Sequence, residues 1–145
     1  MILDGKNIGL GMVVITDSHM TSSYDVVTPT KCVDIYNKNH EYRFTFWTTQ
    51  EYEKFNELPL NERIDVLDFI DDYDIDFGTK EYTTINSREN SKVYFTRIDT
   101  NIYKINVEIE DFDKGVFGNT KGFKNLKIEA IIDFNKSKYE STDYM

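Results

Sequence analysis

The chain has a single cysteine, Cys32, a single tryptophan, Trp47, two prolines, two histidines and one alanine, Ala130. One cysteine excludes an internal disulfide framework and points to a reducing, cytoplasmic setting. No apolar run approaches the ~20 residues that a bilayer-spanning helix needs, and the N-terminus lacks the basic-then-apolar pattern of a signal peptide. A membrane partner is therefore not expected. Scarce alanine beside abundant Ile, Asn, Lys, Tyr and Asp suits AT-rich coding, as in a low-GC bacterium or one of its phages.

Apolar material is nevertheless ample. Hydrophobic residues make up 39 % of the 145 and aromatic residues 14 %, with ten Tyr and ten Phe, too much for a disordered chain and enough for one core. Residues 1–134 read as one domain, and 135–145, without an apolar period, as a flexible tail.

The net charge of -9 is concentrated in one place. Residues 51–76 hold ten acids, Glu51, Glu53, Glu57, Glu62, Asp65, Asp68, Asp71, Asp72, Asp74 and Asp76, against Lys54 and Arg63, for -8. The 50 residues before carry -1 and the 69 after are neutral. A field of this kind repels nucleic acid and anionic membranes and attracts basic surfaces.

Strand signals dominate both halves. Met12 to Ile15 form an apolar run after Gly5, Gly9 and Gly11, a buried-strand pattern. Residues 17–30 are polar and read as a loop. Cys32–Tyr36 and Tyr42–Trp47, joined by five turn-prone residues, predict a β-hairpin. Further strands are expected at Asp72–Phe77, Glu81–Asn86, Val93–Ile98 and Tyr103–Glu110. In the last, Tyr103, Ile105, Val107 and Ile109 share a face. A final strand is expected at Leu126–Phe134.

Between these runs the spacing predicts two short helices. Thr48 and Glu51 match a capping box, and Tyr52, Phe55 and Leu58 recur every three residues before Pro59 interrupts the pattern. From Leu60 to Ile70, a helical projection gathers Leu60, Ile64, Leu67 and Ile70 on one side. It gathers Glu62, Asp65, Asp68 and Asp72 on the other, with Phe69 inside the acidic stripe and Arg63 near the apolar side. The expected fold is α+β: antiparallel hairpins or meanders of about seven to eight strands with a central pair of short helices on one face.

Motifs for chemistry are incomplete. Asp72, Asp74 and Asp76 resemble the start of an EF-hand calcium loop, but Phe77 takes the place of the turn glycine and Thr83 that of the bidentate Glu. Asp17, Ser18 and His19 adjoin in sequence without the surroundings of a catalytic serine. His40 falls in the hairpin turn. Lys114 to Gly122 has glycines and lysines but lacks the Gly-Lys-Ser/Thr ending and following helix of a phosphate loop. Lys121, Lys124 and Lys127 form a small basic cluster. No metal, cofactor or catalytic residue is assigned.

The acidic segment carries the functional expectation. On a helix, one acid per 2.6 residues corresponds to about 4 Å per charge, near the ~3.4 Å spacing along one DNA strand. The expectation is a small non-enzymatic inhibitor, encoded by a phage or mobile element, of the anti-CRISPR or anti-restriction type. It would bind a basic host protein, such as a nuclease or another DNA- or RNA-binding protein, by mimicking nucleic acid. Glu62, Asp65, Asp68, Asp72, Asp74 and Asp76 would supply the charge, and Phe69 and Tyr73 the buried contact. Two alternatives use the same features: an immunity protein against a basic toxin nuclease, and a phage structural or assembly protein.

Overall fold

Alternation of apolar and polar residues governs the architecture from end to end. The computed structural model describes residues 1–21, 27–48, 52–66, 73–79, 83–85, 91–111 and 124–141. Twelve strands run in chain order: β1 (Ile2–Leu3), β2 (Lys6–Asn7), β3 (Met12–Thr21), β4 (Val27–Tyr36), β5 (Tyr42–Thr48), β6 (Arg63–Asp65), β7 (Tyr73–Thr79), β8 (Thr83–Ile85), β9 (Ser91–Asp99), β10 (Ile102–Asp111), β11 (Lys124–Asp133) and β12 (Lys138–Glu140). A 3-10 helix, η1 (Tyr52–Glu57), lies between β5 and β6.

The strands form two six-stranded sheets. Sheet A has the order β2-β1-β11-β10-β9-β6, and sheet B the order β12-β3-β4-β5-β7-β8. Every pairing between these strands is antiparallel. Val93 and Phe95 of β9, Tyr103 to Ile109 at alternate positions of β10, and Leu126 to Ile132 at alternate positions of β11 are buried. They share one core with Val13, Ile15, Val33, Ile35, Phe44, Phe46 and Phe77 of sheet B. The Phe46 and Phe95 rings meet across the sheets, their centroids 5.7 Å apart.

The domain is all-β, not α+β, and among the described residues the expected central pair of helices is replaced by other structure. In place of the first is η1. The spacing of three between Tyr52, Phe55 and Leu58 is the three-per-turn period of a 3-10 helix, not of an α-helix. Phe55 and Leu58 are both buried. Over the first part of the second, Arg63–Asp65 pairs with β9, with Ile64 opposite Phe95; Leu67 and Ile70 lie outside the described residues. Pro59, and Asn61 at φ 59°, break helical geometry at its start. Ile64 and Val66 then fit a period of two as well as a helical one. Leu60, assigned to the apolar side, is 54 % exposed.

Three polar stretches are ordered by pairing rather than by side-chain pattern. Residues 17–21 and 27–30 extend the β3–β4 hairpin, with His19 opposite Pro29. Pro29 lies beyond Cys32↔Trp47, the last β4–β5 pair, where a residue without an N–H is tolerated. Asp4 and Gly5, both with positive φ, close the two-residue β1–β2 hairpin. In the C-terminal stretch, Lys138–Glu140 pairs with β3. The Tyr139 hydroxyl donates to the Ile131 carbonyl (3.0 Å) and accepts from the Asp133 N–H (2.9 Å), which fastens β12 to β11 of the other sheet. No helix among the described residues is long and apolar enough to cross a membrane.

Candidate functional site

The acidic segment 51–76 supplies the outermost strand of sheet A, β6, and the next-to-outermost strand of sheet B, β7. Its described parts therefore include the end strand of one sheet and the strand next to the end of the other. Glu57 and Glu62 are exposed, and Asp65 is half-buried opposite Tyr94 on β9. Tyr73, Asp74 and Asp76 pair in register with Thr48, Trp47 and Thr45 of β5. Asp76 also pairs with Ile85 of β8. Asp68, Phe69 and Asp72 lie outside the described residues.

This placement corrects the spacing argument. Along a strand the rise is about 3.4 Å per residue, so Asp74 and Asp76 stand roughly 7 Å apart along the backbone. That is twice the rise between successive phosphates on one DNA strand. A charge-for-phosphate match along a helix does not describe these residues. What remains is a concentration of carboxylates in the sequence, of which Glu62 and Asp65 lie next to or on the end strand β6.

The loop that leads into β6 is held firmly. Arg97 continues the inward series of Val93 and Phe95, opposite the buried Tyr103. Its Nη1 donates to the Leu58 carbonyl (3.0 Å), while its own carbonyl accepts from the Asn61 N–H (2.8 Å). Its Nε is buried without a hydrogen-bond partner among the described residues. On the other side of the loop, Asn56 of η1 joins Asn101 and Tyr103. Its Nδ2 donates to Asn101 Oδ1 (2.7 Å), and its Oδ1 accepts from the Asn101 N–H (2.9 Å) and the Tyr103 hydroxyl. Burial pushes the Tyr103 phenol well above its ordinary range, and the nearby Arg97 charge offsets only part of that rise.

Leu60 and Glu62 are thus presented from a braced loop. Arg63, expected to reach out of an apolar face, instead lies over the Tyr94 ring, 3.9 Å from its centroid. Sequence reasoning placed Leu60 in the core and so missed it as an exposed apolar residue beside the acids. The combination of Pro59 with Asn61, a residue type that tolerates positive φ, was the signal for a turn there. Ile98 of β9, next to Arg97, is a second exposed apolar residue.

On sheet B, a second carboxylate lies two strands in from β7. Thr45 of β5 is 3 % exposed and donates through Oγ1 to Asp34 Oδ1 of β4 (2.6 Å). Thr45 has Asp34 and Asp76 as its register partners on either side. Arg43 Nε stands 3.9 Å from Asp34 Oδ1.

The remaining motifs fall on regular elements. Asp74 and Asp76 belong to an extended strand paired with β5 over seven residues, whereas an EF-hand ligand run must curl around its cation. Asp17, Ser18 and His19 are consecutive positions of the β3 ladder, and Asp17 forms an ion pair with Lys31. His40 sits in the β4–β5 turn, its ring 5.6 Å from that of Tyr36. Lys114 to Gly122, with Lys121, lies outside the described residues. Lys124 begins β11, and Lys127 pairs in register with Ile2 and Glu108. No protein-family model, curated protein or solved structure matches the chain.

Proposed function

We propose that the protein is a small non-enzymatic inhibitor that binds a basic, nucleic-acid-binding protein through the surface built from residues 51–76. The observation that supports this reading most is the coincidence of charge and position. A segment with net charge -8 supplies the outer strand of one sheet and the next-to-outer strand of the other. Glu62, Asp65, Asp74 and Asp76, with Asp68 and Asp72, supply the attraction that speeds encounter and sets specificity. The exposed Leu60, alongside Phe69 and Tyr73, supplies apolar contact, which the charges alone lack.

In this reading the protein competes with nucleic acid for its target by charge concentration rather than by a phosphate-like repeat. It acts in the cytoplasm, where a lone cysteine stays reduced, and its low-alanine, AT-biased composition suits a phage or mobile-element factor directed against host defence. Among the described residues, the end strands of the two sheets, β2, β6, β12 and β8, are two or three residues long. Such short edges offer little ladder to another copy, which favours a soluble partner over a self-assembling particle component. The test is competition. Binding of the target to a labelled nucleic acid should fall as the protein is added, and a variant with Glu62→Lys, Asp74→Lys and Asp76→Lys should lose that effect while keeping its fold.

A further inference from the structure

At the opposite edge of sheet A from β6, the β1–β2 hairpin meets the β4–β5 turn around a groove of about 560 Å³. The two loops are tied where the Lys38 N–H donates to the Ile8 carbonyl (3.3 Å). They approach so closely that a Cβ on Gly9, at φ +71°, would stand 2.9 Å from Lys38 Cβ. Lys6, Asn7, Asn37, Lys38, Asn39 and Glu41 line the groove. In a chain of net charge -9, this wall carries two cations and one acid.

The hydrogen bonds fix what the wall presents. Asn37 is 2 % exposed, and its Oδ1 accepts from the Tyr42 N–H (2.9 Å). That bond settles the orientation of the carboxamide. Its Nδ2 is left as a donor with no partner among the described residues, and it is not sealed from solvent: Arg97 Nε is the one fully buried side-chain polar atom among them without a partner. Asn7 repeats the pattern: its Oδ1 accepts from the Gly9 N–H (2.9 Å), leaving Nδ2 as a donor. Neither Lys6 nor Lys38 has an acidic partner within ion-pairing distance among the described residues. The groove is therefore lined mostly by solvent-facing donors.

We infer that this groove binds a small phosphate monoester bearing hydroxyl groups, such as a sugar phosphate. With Glu41 opposing them, the two ammonium groups leave the wall at +1, which favours a phosphate monoester, whose charge near neutral pH is about -1.5 to -2, and lysine serves phosphate as a point charge without the planar fork that suits carboxylates. The volume exceeds the needs of a bare phosphate and lies within the usual range for small-molecule sites. Glu41 and the Asn39 amide would then bond to hydroxyls. The site is independent of the acidic segment, whose strand β6 ends sheet A at its far side.

The test is a titration of the full chain followed by NMR of its side-chain amides, with glucose 6-phosphate, inorganic phosphate and glucose as separate probes. Glucose 6-phosphate should move the Asn7, Asn37 and Asn39 NH2 signals saturably, with a Kd about tenfold below that for inorganic phosphate, and glucose should not move them. Asn37→Asp keeps an acceptor for the Tyr42 N–H but turns the free donor into a negative oxygen, and should weaken binding about tenfold or more. Should that variant fail to fold, the exposed pair Lys6→Met and Lys38→Met carries the test, with the same expected loss. No saturable movement, equal affinity for the two phosphates, or unchanged binding in the lysine variant would overturn the inference.

Discussion

The hydroxyl of Tyr103, buried on β10, donates its hydrogen bond to Oδ1 of Asn56, the η1 residue that follows Phe55. One bond thus pins the 3-10 turn to sheet A at the point where the chain leaves sheet B for β6. Asn56 Oδ1 also receives the Asn101 N–H (2.9 Å), so the two partners are not equivalent. Tyr103→Phe removes one donor and leaves Asn56 satisfied, and should cost about 1 kcal/mol. Asn56→Ala strands a buried hydroxyl and an N–H together, and should cost about 1–3 kcal/mol more. Urea unfolding of both variants checks the order; a larger loss for Tyr103→Phe would contradict this account of the network.

Phe55 is the apolar counterpart of that pin. It is fully buried, and its ring centroid lies 4.6 Å from that of Phe95, 5.8 Å from Tyr103, and 6.5 Å from both Phe46 and Phe134. Phe55→Ala should cost about 3–5 kcal/mol, a large share of the roughly 5–15 kcal/mol that holds a domain together. Calorimetry should record a correspondingly lower Tm, and a loss under about 1 kcal/mol would show that η1 is peripheral to the core.

Glycine is required at one of the two hairpin-end positions more than at the other. Gly5 and Gly9 both have positive φ, but a Cβ at Gly5 meets nothing within 4 Å, whereas at Gly9 it meets Lys38. Gly5→Ala should cost roughly 1 kcal/mol for backbone conformation alone. Gly9→Ala adds the close approach and should cost more. Thermal melts of the pair decide it, and equal losses would mean that the Lys38 stem yields freely.

Alkaline stability follows from Tyr139. Burial raises its phenol from 10.0 to about 12, the Asp133 N–H that donates to it pulls the other way, and the Asp133 charge adds to the rise. Below pH 10 the phenol is neutral in both folded and unfolded chains. Above it the unfolded chain loses a proton that the folded chain keeps, so stability falls as pH rises through about 12. Unfolding curves from pH 9 to 12 should show this decline, and Tyr139→Phe should make it shallower, the remainder coming from Tyr103, whose phenol is raised for the same reason. A slope unchanged by the substitution would remove Tyr139 as a source.

Strands with strict alternation were legible in the sequence. Tyr103 to Ile109 and Leu126 to Phe134 show their buried faces directly, and the β4–β5 hairpin forms across the expected turn. Two kinds of element were not. Polar residues 17–21 and 27–30 join a ladder because backbone groups pair whatever the side chain, so no apolar signal marks them. At Leu60–Asp65 a short window fitted two periods, and pairing with β9 decided between them. The acidic segment was legible as charge, but its conversion to geometry failed, because strand rise is more than twice helical rise. The groove at Asn7 and Asn37 left no sequence signal, since it depends on which amide atom each turn consumes.

The most direct test of the central claim is a pull-down from lysate of the cell the protein acts in, comparing the native chain with the Glu62→Lys, Asp74→Lys, Asp76→Lys variant at low and high salt. The account predicts that the native chain retains a basic nucleic-acid-binding protein at low salt, and that salt, added nucleic acid or the charge-reversed variant abolishes retention. A partner held equally by the variant, or undisturbed by nucleic acid, would contradict binding through the acidic segment.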